Sequence, residues 1–167
     1  QERSAHVTQT TLYGYLKTRI GVKYVAMMED EVYLKSVNIA KWNIYMVALA
    51  DCAFYVFSYL ISEKNLKEND CKEIFLKIIE EEKKNGLNEK IYNNGKQNFL
   101  KRIEQVNFTN YYLIEPFKES GEALYYWSPI ADELKTLDKK IVLNSISLKW
   151  GLVQDEFLKL TKNLNLN

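Results

Sequence analysis

Between Ile44 and Ile61 the chain reads IYMVALADCAFYVFSYLI, eighteen residues with one charge, Asp51, flanked by Lys41 before it and by Glu63 and Lys64 after it. A segment this apolar leaves water in one of two ways: it spans a bilayer, or other helices of the same protein enclose it. Eighteen residues lie at the short end of a spanning helix, and Asp51 near the middle would cost roughly 2.5 to 3.5 kcal/mol in hydrocarbon. The expectation is therefore the enclosed central helix of a bundle, with a membrane partner disfavoured. Helical spacing puts Trp42, Met46, Leu49, Ala53, Val56 and Leu60 on its main core side. Asp51 falls opposite, near Ala40, Ile44, Val47, Ala48, Tyr55 and Ser58. On that lesser face it is expected to meet solvent or a cation. Buried without either, its pKa would rise and it would become an acid or base.

The remainder of the chain repeats the helical period, while strand alternation is nearly absent and 6 Gly and 2 Pro leave little material for tight turns. The predicted fold class is all-α, a helical bundle of five or six helices with a long C-terminal helix. At 167 residues, 47% hydrophobic and 27% charged, the chain has enough apolar surface for one self-sufficient core. The polar QERSAHVTQT reads as a flexible leader over residues 1–10, with 11–167 as a single all-α domain. A first helix is expected from about Thr11 to Met28, with Gly21 as a candidate break. Asn69-Asp70 followed by Glu73 signals a later helix start, and Asn85-Gly86 its stop. The charged run Glu80-Glu81-Glu82-Lys83-Lys84 reads as a solvated end, and Asn93-Asn94-Gly95 as an interruption before a helix through Phe99 and Ile103.

Ser128 as N-cap, Pro129 as first helical residue and Asp132 and Glu133 in the first turns predict the start of the last helix, which runs to about Leu160 or beyond. It carries two apolar stripes more than a right angle apart. Ile130, Leu134, Leu137, Ile141, Leu148 and Leu152 share one face; Ile146, Trp150, Val153, Phe157, Leu160 and Leu164 share the other. The first is expected in the intramolecular core. The second then needs its own cover, which makes Trp150, Val153, Phe157 and Leu160 a candidate self-association interface unless the N-terminal helix packs there.

Charge and motifs narrow the function classes. Lys+Arg of 23 against Asp+Glu of 22 leaves a net charge of +1, so no global field draws in a phosphate backbone, and nucleic acid is not an expected partner. Only Arg3, Arg19 and Arg102 among the basic residues offer the fork suited to phosphates and base edges. Cys52 and Cys71 lack a CxxC or histidine companion, and no HExxH or ExxH pair is present, so no metal site and no cofactor are expected. Two isolated thiols suit a reducing, cytoplasmic location. The single histidine, His6, lies in the leader, and no GxSxG, Walker A or GxGxxG pattern occurs.

What remains is NYYLIEPFKESGEALYYW, residues 110–127, where Tyr111, Tyr112, Tyr125, Tyr126 and Trp127 surround Glu115, Glu119 and Glu122. Aromatics at one end of a bundle first close the core, and buried tyrosine hydroxyls then need polar partners. These eight residues are the candidate ligand pocket. The leading expectation is a helical protein that works by protein–protein contact, including with itself; the alternative is a small-molecule binder or carboxylate-dependent enzyme built on this segment.

Overall fold

The structure, a computed structural model, describes residues 1–67 and 69–164; the last three residues of the expected domain, 165–167, lie outside the described residues. The chain forms α1 (Glu2–Ile20), the short α2 (Tyr24–Glu29), α3 (Glu31–Lys64), α4 (Cys71–Glu82), α5 (Glu89–Ile103), α6 (Lys118–Trp127) and α7 (Asp132–Thr161). It is an all-α bundle with a 30-residue C-terminal helix, and no strand occurs among the described residues.

The apolar run became the axis of the molecule. Asp30 starts α3 by accepting the Tyr33 N–H at 2.7 Å, and Asn65 ends it in the left-handed conformation at φ 56°. Between these caps the helix is apolar nearly all round and is covered on both sides. Trp42, Tyr45, Met46, Leu49, Phe54 and Phe57 pack with α4 and α5 in one core, where the Phe75 and Phe99 rings stack at 3.7 Å. Val37, Ala40, Ile44, Ala48 and Tyr55 pack with α1, α6 and α7 in the other, where Phe117 stacks on Trp150 at 4.1 Å. Trp42 and Leu49 thus share a core as their spacing predicts, whereas Val56 belongs to the opposite one. The 18-residue window of α3 that is apolar enough to cross a membrane is 61% buried inside the protein.

Four expectations are corrected. The polar leader is helical from Glu2 onward, with Ser4, Val7 and Thr8 buried in α1. Small hydroxyl side chains permit close helix contact, and Thr11 Oγ1 satisfies itself by donating to the Val7 carbonyl at 2.6 Å. His6 is exposed. Asn93-Asn94-Gly95 does not interrupt α5; Gly95 instead lets that helix close on α3, since a Cβ there would stand 3.2 Å from Met46 Cβ and Cγ.

The third correction concerns the last helix. Ser128 does not cap it; its hydroxyl donates to the Leu124 carbonyl at 2.6 Å and closes α6, while α7 starts at Asp132 and runs unbroken through Gly151. Its two stripes are exchanged relative to expectation. Trp150 is buried, and Val153 and Phe157 pack into the second core, Phe157 edge-on to Tyr55 and Tyr59. The first part of α7 adds Val142 and Ile146 to the same side. Of the proposed interface only Leu160 lies outside, at 77% exposure. The cover is supplied within the chain by α1, α3 and α6, which bury Trp150 and leave Val153 and Phe157 only partly exposed.

Glu82, expected in solvent, is buried and ties three helices together. It accepts from Tyr45 Oη at 2.7 Å, Gln1 Nε2 at 2.8 Å and Asn85 Nδ2 at 2.9 Å. Burial works to raise its pKa, but these donors outweigh it and hold the carboxylate below its ordinary value. A depressed carboxylate contributes stability above its unfolded pKa and loses it as pH falls through the folded one. From about pH 5 down to about pH 3 the urea midpoint should drop more steeply in the wild type than in Glu82→Gln. Parallel profiles would show that the three bonds add nothing to acid stability.

Candidate functional site

Asp51 sits where the two cores meet and is fully buried, with 0% exposure. The Arg102 guanidinium of α5 pairs with its Oδ1, while Ser120 of α6 donates to Oδ2 from its backbone N–H at 2.8 Å and from Oγ at 2.5 Å. The Tyr111 hydroxyl lies 3.3 Å from Oδ1 but 2.7 Å from the Pro116 carbonyl; its one proton goes to the nearer carbonyl, which leaves the oxygen free to accept from Arg102 at 3.5 Å. Burial drives the Asp51 carboxyl up from its ordinary value, and the guanidinium and the Ser120 donors pull against that rise. The Tyr111 phenol is pushed above its usual range by burial and by the Asp51 charge.

This arrangement explains how α6 begins. Its N-cap position is Phe117, whose side chain accepts nothing, so the orphan N–H at Ser120 is satisfied by a carboxylate from another helix. Asp51 is a cap supplied across the bundle. Both of its oxygens are engaged inside the protein, one by Arg102 and the other by Ser120.

Arg102 also reaches the surface side. α5 and α6 both lie on α3 and run in opposite directions, leaving an open trough between them with α3 as its floor. Its widest section, about 590 Å³, lies between Arg102, Gln105 and Asn110 on one side and Glu115, Lys118 and Glu119 on the other. A middle section of about 380 Å³ runs over Val47 between Asn98 and Arg102 and the wall of Glu119, Glu122, Tyr126 and Trp127. A narrow section of about 160 Å³ ends between Asn94, Asn43 and Trp127. Asn98 borders all three, so the trough is continuous.

The expected pocket residues are divided by this geometry. Tyr111, Glu115 and Glu119 line the wide section, and Glu119, Glu122, Tyr125, Tyr126 and Trp127 the middle one. Glu122 is partly neutralised by Lys139 at 3.4 Å, and the same ammonium lies 5.1 Å from the Tyr125 ring centroid. Tyr112 stands apart: its hydroxyl pairs with Glu63, its ring meets Tyr59, and its N–H donates to Ser58 Oγ at 3.0 Å. Sequence reasoning missed Arg102, Asn94 and Asn98. The signal available was their spacing, 94, 98 and 102, which places an amide or a guanidinium on every successive turn of one face of α5. No group of three or more potential metal ligands occurs among the described residues. Comparison with protein-family models, with curated proteins and with solved structures finds no match to the chain.

Proposed function

We propose that the protein is a helical association module whose partner is a second copy of itself, joined through the outer face of α7. The supporting observation is a row of large apolar side chains in water: Leu134 at 42% exposure, Leu137 at 76%, Ile141 at 68%, Leu148 at 72% and Leu152 at 65%. All fall within one narrow sector of the helix and span about 27 Å at 1.5 Å per residue. Scattered exposed leucines need no explanation, but a continuous row does.

The spacing favours self-pairing. Leu134, Leu137 and Ile141 lie on one side of residue 143, and Leu148 and Leu152 on the other at nearly mirrored distances, with the polar Asn144 and Ser145 at the centre. Reversing the helix therefore lays leucine against leucine: Leu134 faces Leu152 of the other copy, and Leu137 faces Leu148. That self-complementarity under a two-fold axis is what an antiparallel pair requires.

Sedimentation at micromolar concentration should give a dimer for the wild type and a monomer of unchanged helix content for Leu137→Glu/Leu148→Glu. Orientation has its own readout. In a Cys52→Ala background, a mixture of Leu137→Cys and Leu148→Cys chains should cross-link faster than either alone. A wild-type monomer at roughly a hundredfold higher concentration rejects the proposal, a 1.4 kcal/mol step being tenfold in affinity.

A further inference from the structure

The trough between α5 and α6 has chemistry that self-association through α7 does not use. Along α5 it carries Asn94, Asn98 and Arg102, with Gln105 in the turn that follows; along α6 it carries Glu119, Tyr126 and Trp127; its floor is Val47. Both walls are polar at their rims, and the formal charges nearly cancel. Lys101 and Lys118 stand against Glu115 and Glu119 in the wide section, and Arg102 is already paired with Asp51. No net charge is left to select an ion.

The long, open shape suits a chain rather than a compact molecule, and the α5 row has a period that suits one kind of chain. Residues four apart on a helix advance by about 6 Å. Two residues of an extended polypeptide advance by about 6.6 Å. Asn94, Asn98 and Arg102 therefore meet every second peptide unit of a strand laid along the trough. A side-chain amide offers a donor and an acceptor to each such unit, which a strand presents in matching form. From Asn94 to Arg102 the helical part of this wall is about 12 Å long, enough for about four extended residues.

We infer that this trough binds an extended peptide segment of a partner protein, reading its backbone through Asn94 and Asn98 and seating one apolar or aromatic side chain on Val47 beside Tyr126 and Trp127. Backbone reading gives affinity with broad tolerance of sequence. The aromatic step supplies the preference.

The probe is a displayed library of random heptapeptides selected against the intact 167-residue chain. Recovered peptides are then titrated by indole emission. Trp42 and Trp150 are buried, so the partly exposed Trp127 is the indole positioned to respond. Expected are peptides enriched in one large apolar residue, with binding weakened roughly five- to tenfold by Asn94→Ala or Asn98→Ala, the loss of about one hydrogen bond each. Both side chains are exposed, so the thermal midpoint should stay unchanged. N-methylation of alternate peptide nitrogens should abolish binding in one register and spare it in the other. Failure to enrich any peptide over an unrelated bait overturns the inference. So does wild-type affinity in both alanine variants, or indifference to N-methylation in both registers. Displacement of the Trp127 signal by maltopentaose but by no peptide overturns it in favour of a saccharide. Leu137→Glu/Leu148→Glu should bind the peptides as the wild type does, so failure at α7 and failure at the trough are separately visible.

Discussion

Asp51→Ala should lower the unfolding free energy by about 3 to 5 kcal/mol, because it strands the Arg102 guanidinium inside the protein without its counter-charge. The same change removes the acceptor that the Ser120 N–H and hydroxyl share among the described residues, so the first turn of α6 loses its cap. Against a total stability of about 5 to 15 kcal/mol this single carboxylate is a large fraction. Arg102→Ala should cost less, since Asp51 keeps its two Ser120 donors. The double variant should cost less than the sum of the two, with a coupling of about 1 to 3 kcal/mol, as neighbours sharing one charge pair are not additive. Urea unfolding of the four proteins measures this directly. Single losses below about 0.5 kcal/mol, the level of a surface substitution, would show that the pair is solvated in solution.

That prediction also marks how far the sequence was legible. The α3 axis was readable because its apolar density leaves only enclosure or a bilayer, and Asn85-Gly86 marked by local chemistry alone the stop that follows α4, where Gly86 takes the left-handed conformation. Asp51 was readable as an oddity but not as a cap. Its partners lie 51 and 69 residues further along the chain, a separation no local pattern carries. The start of α1 escaped notice for a different reason: Ser4 and Thr8 are polar by type, yet both are buried, and no polarity pattern marks them as inward-facing. The trough was half legible. Its aromatic and carboxylate wall lies in one continuous stretch, whereas the facing amide wall is recognisable only once α5 is placed opposite.

The two stripes of α7 show where periodicity stops being informative, and they supply the second large expected effect. Hydrophobic spacing proves that a face exists, but two faces of similar length say nothing about which one turns inward. The interior chose the aromatic stripe, because Trp150 and Phe157 fill space beside Phe117, Tyr55 and Tyr59 that leucines of the opposite face would leave partly empty. Trp150→Ala should therefore cost about 3 to 5 kcal/mol, the sum of lost transfer free energy and the cavity left behind. Leu148→Ala, two residues away on the outer stripe, should change the unfolding free energy of the monomer by no more than about 0.5 kcal/mol. At protein concentrations above the dimer dissociation constant the comparison gains a second dimension. Stability linked to association grows with concentration, so the Leu148→Ala penalty should rise as the protein is concentrated while the Trp150→Ala penalty stays constant. Similar costs for both substitutions in dilute solution would mean that α7 is rotated from the orientation described, with its leucine stripe inside. A Leu148→Ala cost that stays near zero at every concentration would leave the inner face intact and remove the case for α7 as the joining surface.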